Sequence, residues 1–140
     1  MHKLAFITGI SLLALSAVAA SAQDIDKDTR EQFEKIADSV AMAQTCRQHD
    51  YEVDSAGLTA WGEAAVDQAV GMGVPREQAQ ARLDEEIEDE YARVEEEFER
   101  ASRMAQSRDH VVRFNRRMKK SCERLAKHEL AGQYFTEIED

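Results

Sequence analysis

Cys46 and Cys122 are the two cysteines of this 140-residue chain, and their thiols have the widest choice of chemistry among its side chains. Neither belongs to a C-x-x-C or C-x-x-C-H motif, so the sequence does not indicate a thioredoxin-type redox site or covalent haem attachment. The N-terminus, described below, predicts that the protein is exported. Two isolated cysteines in an exported protein pair with each other, because compartments outside the cytoplasm oxidise thiols. We therefore predict an intramolecular disulfide between Cys46 and Cys122.

The same cysteines offer an alternative as metal ligands. Cys46-x-x-His49 places two ligand types one helical turn apart, and Cys122 would supply a third ligand for zinc. A non-covalent haem would draw on Met42 and His128, a pair that long antiparallel helices permit. His128 lies six residues beyond Cys122, about 240° around a helix, so the disulfide and haem ligation do not fit together. We expect no metal, haem or other cofactor.

Groups for nucleophilic or acid–base catalysis do not form a recognisable pattern. No serine or cysteine lies in a glycine-flanked elbow, and His49, His110 and His128 have no triad context. Clustered glutamates supply paired carboxylates, but a glycosidase site also needs a deep pocket with polar anchors. We therefore expect a protein that is not an enzyme.

The N-terminus has the three parts of an export signal. Met1-His2-Lys3 is a short positive start, residues 4–20 are uncharged and mostly apolar, and Ala20-Ser21-Ala22 suits a signal peptidase. Cleavage after Ala22 leaves 17 bases and 28 acids, a formal net charge of −11. That remainder is too charged to contain a transmembrane segment. We predict a cleaved signal peptide (1–22), a single helical domain (23–140) and a periplasmic or secreted location.

Apolar residues recur every three or four positions along most of residues 23–140, which is typical of amphipathic helices. The four apolar stripes occupy residues 33–43, 61–70, 79–105 and 111–125. We expect the first helix to end near His49, the second to start near Thr59 and the third to start at Pro75. No segment alternates as a strand does, and residues 51–57 are expected to form a loop.

The last two stripes need a break between them. The apolar phase slips by one position between Ala105 and Val111, and Ser107 and Asp109 are good helix caps. One unbroken helix of that length could not fold back to bury its own stripe. We predict a long helical hairpin over residues 75–131, broken near 107–109, and a short tail over 132–140. The fold class is therefore all-α, a small elongated bundle of three long helices and one short one.

The hairpin is strongly polarised in charge. Residues 84–99 hold ten acids and one base, whereas residues 100–127 hold ten bases and two acids, for net charges of −9 and +8. Folding at 107–109 brings the two blocks opposite each other, and we expect ion pairs between them. Pairs in the favourable i, i+4 order are also expected within the helices. These are Asp89/Arg93, Glu96/Arg100, Glu99/Arg103 and Glu123/Lys127.

The basic block also has a functional interpretation. Five bases recur at spacings of three and four beside the apolar stripe of the last helix, so they share one face. We call these residues the basic stripe: Arg113, Arg117, Lys120, Arg124 and Lys127. A free basic stripe would bind an anionic surface, although export and the lack of a binding motif speak against nucleic acid. Trp61 is either a core residue or an anchor for a partner.

These observations favour a non-catalytic exported protein that binds another protein or an envelope component. A first alternative is an acid-responsive periplasmic chaperone, because below about pH 4 the net charge changes from −11 to about +20 and the hairpin's ion pairs are lost. A second alternative is a small metal- or haem-binding protein. Helical hairpins with long apolar seams also associate, so a homo-oligomer is an open alternative.

Overall fold

A computed structural model describes residues 24–140 of the chain, and the predicted signal peptide with its cleavage site lies outside this range. Helices dominate, which confirms the predicted all-α bundle of three long helices and one shorter one. The helices are α1 (Lys27–Arg47), α2 (Ser55–Gly71), α3 (Arg76–Arg103) and α4 (Arg108–Lys127). Two short strands, β1 (Tyr51–Val53) and β2 (Phe135–Glu137), and a 3-10 turn (Gly132–Tyr134) complete the described chain.

α1 is the central helix of the bundle. Asp26 caps its N-terminus by accepting a hydrogen bond from the Thr29 amide, 3.3 Å away, as its position before the apolar stripe predicts. Most residues of α1 between Phe33 and Cys46 are buried, because α2, α3 and α4 all pack against it. The buried hydroxyl of Ser39 donates to the Lys35 carbonyl within the helix, so its burial leaves no polar atom unpaired.

The buried side chains form two adjoining clusters, one on each half of α1. One lies between the first half of α1, α2 and the start of α3, and it contains Phe33, Ile36, Val66 and Leu83. The other lies between the second half of α1, the end of α3, α4 and the strands. Val40 and Trp61 contact both clusters, so the two parts form one continuous core.

α2 begins earlier than the sequence predicted. Its first residue is Ser55, four positions before Thr59, and the Asp54 side chain caps it by accepting from the Gly57 amide at 2.9 Å. The helix ends at Gly71, as predicted, and Gly73 turns the chain with a φ of 99° that favours glycine. Pro75 then precedes the first residue of α3.

The break between α3 and α4 is confirmed. α3 ends at Arg103, residues 104–107 form a turn, and Ser107 occupies the N-cap position of α4. Just beyond this turn the rings of Phe98 and Phe114 meet edge to face, with their centroids 5.0 Å apart. Along residues 24–140 the structure contains no helix with the length and apolarity that a bilayer span requires.

The two strands correct the expectation that residues 51–57 form a loop and that residues 132–140 form a tail. β1 and β2 pair antiparallel, with Tyr51 opposite Glu137 and Val53 opposite Phe135. Each strand has three residues, which is too short to show alternation in a sequence. The pairing partners lie more than eighty positions apart, so only the folded helices bring them together.

Candidate functional site

Cys46 and Cys122 form the predicted disulfide. Their Cα atoms lie 5.5 Å apart, both side chains are fully buried, and the bond joins α1 to α4. Both sulfurs are therefore used in a covalent bond, which removes two of the three ligands of the alternative zinc site with His49. In the part of the chain that the structure describes, no three His, Cys, Asp or Glu side chains are grouped to hold a metal.

The alternative haem pair has structural roles. Met42 is buried in the core, where it packs in the same cluster as Met118 and Cys122. His128 follows the last residue of α4, and its Nδ1 accepts hydrogen bonds from the amides of Leu130 and Ala131, at 3.1 and 3.3 Å. The imidazole therefore fixes the turn that leads from α4 into the C-terminal segment.

A groove with a volume of about 1230 Å³ lies between α1, α3 and α4. Its floor includes the core residues Met118 and Leu125. One wall is formed by α1 and α3 and carries mostly acids: Asp28, Glu31, Glu34, Asp38, Glu90 and Glu97. The opposite wall is formed by α4 and carries the bases Arg117, Lys120 and Arg124. The groove is thus polarised, and we call its two sides the acidic wall and the basic wall.

Part of the acidic wall is neutralised by a single arginine. Arg93 on α3 lies 2.8 Å from Glu90, 2.6 Å from Glu97 and 3.8 Å from Asp38 on α1. The hydrogen bond to Glu90 raises the pKa of Arg93, and the three carboxylates add to this while partial burial opposes it. Asp28 and Glu34 on α1 form no ion pair along residues 24–140, so acidic charge remains at the outer part of this wall.

The basic wall is not neutralised in this way. All five residues of the basic stripe are exposed, and within residues 24–140 none of them lies in an ion pair. The polar contacts described for the stripe are with a hydroxyl and an imidazole, not with carboxylates. Arg124 donates to the Ser121 hydroxyl at 2.9 Å, and the Arg113 guanidinium lies 3.1 Å from Nδ1 of His110. Arg117 lies over the Phe114 ring at 5.9 Å.

The ion pairs expected across the hairpin, between the acids of α3 and the bases of α4, are a prediction that the structure contradicts. The ion pairs that α3 forms stay within α3 or reach α1 and α2, and none described in residues 24–140 joins α3 to α4. α3 packs mainly on α1, while α4 meets α3 near the turn and is then held against α1 by the disulfide. Burial of apolar faces decides this arrangement, since an exposed ion pair contributes only about 0–1 kcal/mol.

The ion pairs expected within helices are confirmed in part. Glu96 pairs with Arg100 at 2.7 Å and Glu99 with Arg103 at 3.8 Å, both in the i, i+4 order. Arg93 forms ion pairs with Glu90 and Glu97 instead of the expected pair with Asp89. In the described chain the remaining expected pair, Glu123 with Lys127, is not formed.

Trp61 is placed in the packing between α2 and the C-terminal segment. Its ring stacks on Tyr134, with centroids 5.4 Å apart and an interplanar angle of 21°, and the side chain is half-buried. This is the core role that the sequence offered beside the role of a partner anchor. The part that α1 plays in the acidic wall was not predicted, although the acids at 28, 31, 34 and 38 recur at helical spacing.

Comparison of the chain with protein-family models, with curated proteins and with solved structures finds no match. The fold and the groove define a small helical protein. Its surface combines a basic stripe that forms no ion pair within the described residues with an oppositely charged wall across a groove.

Proposed function

We propose that this chain is a non-catalytic exported binding protein that holds an anionic partner against the basic stripe of α4. The partner is another protein or an envelope component that presents several negative charges in a row. The observation that carries the proposal is the lack of any ion pair to the stripe along residues 24–140, although the mature chain has 28 acids. Bases that the protein does not neutralise itself are available to a ligand.

The surrounding charge restricts where such a partner binds. The predicted mature chain has a net charge of −11, so most of its surface repels an anion. The acidic wall lies across the groove from Arg117, Lys120 and Arg124 and repels the partner from that side. The anionic partner is therefore attracted only to α4. Because the neighbouring surfaces repel it, the partner binds at one defined place and not over the whole surface.

The acid-responsive chaperone is less well supported than this proposal. Its trigger required ion pairs across the hairpin, from α3 to α4, that protonation would break, and residues 24–140 contain none. The α3 pairs of Glu96 with Arg100 and of Glu99 with Arg103 lie on exposed side chains within the helix, and such pairs contribute little to stability. Acid would change the net charge and break the pairs that join α3 to Asp38 of α1 and Asp67 of α2, but the apolar core and the disulfide that hold the helices together do not depend on these pairs.

Site-specific photo-cross-linking in the cells that export the protein tests the proposal. A cross-linker at Ser121, which lies in the groove between two bases of the stripe, should capture a partner, whereas one at the exposed Glu88 should not. The triple variant Arg117→Gln, Lys120→Gln and Arg124→Gln should lose the adduct. A control with the same charge change, Arg47→Gln, Arg76→Gln and Arg82→Gln, should keep it. Equal capture by both triple variants would overturn the proposal.

A further inference from the structure

Three large apolar side chains are exposed together at and just after the turn that joins α3 to α4. Met104 in the turn is 47% exposed, and Val111 and Val112 in the first turns of α4 are 39% and 46% exposed. We call these three residues the apolar tip. Exposed apolar residues of this size are common singly, but a group of three at one end of a hairpin is a feature to explain.

The apolar tip is a continuation of the buried face of α4. Val111 belongs to the same helical stripe as Phe114, Met118 and Leu125, and the last three are buried while Val111 is not. Along this stripe, the contact of Phe114 with Phe98 of α3 is the last one that buries a side chain before the turn. The first turns of α4 therefore present apolar side chains, Val111 and Val112, that residues 24–140 cover only in part.

Basic side chains surround the apolar tip. Arg108 begins α4, and Arg113 and Arg116 follow within its first three turns, whereas Asp109 is the only acid among residues 100–116. In the described chain these three arginines form no ion pair, in contrast to Arg103 at the end of α3. The hairpin end thus combines uncovered apolar groups with unneutralised guanidinium groups.

We propose that the apolar tip and its arginines dock on an anionic phospholipid bilayer. The apolar side chains enter the interface between headgroups and acyl chains, and the guanidinium groups bind lipid phosphates. The inference rests on the proposed function, since it names the anionic partner of α4. Three half-exposed side chains offer far less area than the roughly 800 Å² per partner of a stable protein interface. Interfacial docking on lipid needs only a few apolar groups together with basic charge.

Co-sedimentation with vesicles tests the docking. The protein should bind phosphatidylcholine vesicles that contain phosphatidylglycerol and not those of phosphatidylcholine alone, and salt should weaken the binding. The variant Met104→Ser, Val111→Ser and Val112→Ser should bind about tenfold more weakly, because it loses the inserted methylene and methyl groups. Ile138→Ser, which changes an apolar residue that is 54% exposed elsewhere, should bind as the wild type does.

Insertion is measured independently of affinity with a reporter tryptophan. Val112→Trp places an indole in the apolar tip, and brominated phosphatidylglycerol should quench its emission. The parent protein is the matched control, because its Trp61 lies in α2, stacks on Tyr134 of the C-terminal segment and should not be quenched. Binding without quenching at position 112 would overturn the inference even if the serine variant were to fold poorly.

A soluble polyglutamate peptide separates this inference from the proposed function. If the apolar tip variant no longer binds vesicles but still binds the polyglutamate peptide, both proposals are supported. If vesicle binding survives in the apolar tip variant and is lost only in Arg117→Gln, Lys120→Gln and Arg124→Gln, the inference is overturned and the proposed function stands. If the wild type binds neither probe, both proposals are overturned.

Discussion

Trp61 and Tyr134 stack with their ring centroids 5.4 Å apart, and this contact joins α2 to the C-terminal segment. The Asp54 amide also donates to the Tyr134 carbonyl at 3.0 Å, so the backbone of the segment is fixed at the same place. Phe135 follows and is buried in the core as β2 pairs with β1. The C-terminal segment is therefore part of the core that holds α4 against α1.

Tyr134→Ala should destabilise the protein by about 1–3 kcal/mol, because the stack and the burial of one ring face are lost. The emission of Trp61 should shift to longer wavelength as water reaches the indole. Denaturant unfolding followed by tryptophan fluorescence measures both effects. Gln133→Ala removes a neighbouring exposed side chain and should leave stability and emission close to wild type. An unchanged emission in Tyr134→Ala would show that the stack does not form.

Removal of the disulfide should have a larger effect. Cys46→Ala with Cys122→Ala should lower the free energy of unfolding by about 4 kcal/mol, because the unfolded chain regains the freedom of a 76-residue loop. Chemical denaturation of the double variant and of the reduced wild-type protein measures the loss, and the two should agree. Intact mass should show the wild type two hydrogens lighter than its reduced form. Equal stability with and without the bond would contradict the tethering role of the disulfide.

Gly132 should not tolerate a side chain. A Cβ at this position would lie 2.5 Å from the carbonyl oxygen of Ala126, and that atom is backbone, so the turn after α4 would have to move. We expect Gly132→Ala to cost about 1–3 kcal/mol in thermal or chemical unfolding. Gly71→Ala is the matched control. Nothing lies within 4 Å of a Cβ there, and the change should stabilise α2 by a few tenths to about 1 kcal/mol.

Ionisation of the Tyr51 phenol should lower the stability of the protein at alkaline pH. Burial raises the pKa of Tyr51 above its ordinary value of 10.0, and the charges of Glu137 and Glu123 raise it further. The folded state therefore holds the phenolic proton more tightly than the unfolded state. This contribution to stability is fully present below pH 10.0 and is lost as the pH rises through the folded-state pKa.

Urea unfolding from about pH 8 to about pH 11 measures this dependence. The free energy of unfolding should fall less steeply for Tyr51→Phe than for the wild type. Tyr91→Phe changes an exposed ring on α3 and should retain the wild-type slope. Identical slopes for Tyr51→Phe and the wild type would mean that the phenol is not held in its neutral form by the fold.

Much of the secondary structure is predictable because its signals are local. The apolar spacing of α3, the capping position of Asp26 and the turn glycines near Gly73 are features of neighbouring residues. The start of α2 was misplaced because its first turn carries no apolar stripe, although Asp54 is a good cap. β1 and β2 were missed because each is short and forms only with a distant partner.

The sequence by itself determined the helices, the polarity of the hairpin and the pairing of Cys46 with Cys122. These depend on residue type, local spacing and the presence of only two cysteines. Only the tertiary structure decided which charges meet. The acids of α3 that form ion pairs do so with arginines of their own helix, whereas the bases of α4 remain without ion pairs among residues 24–140. The physical reason is that apolar burial and one disulfide set the positions of the helices, and exposed charges are too weak to change them.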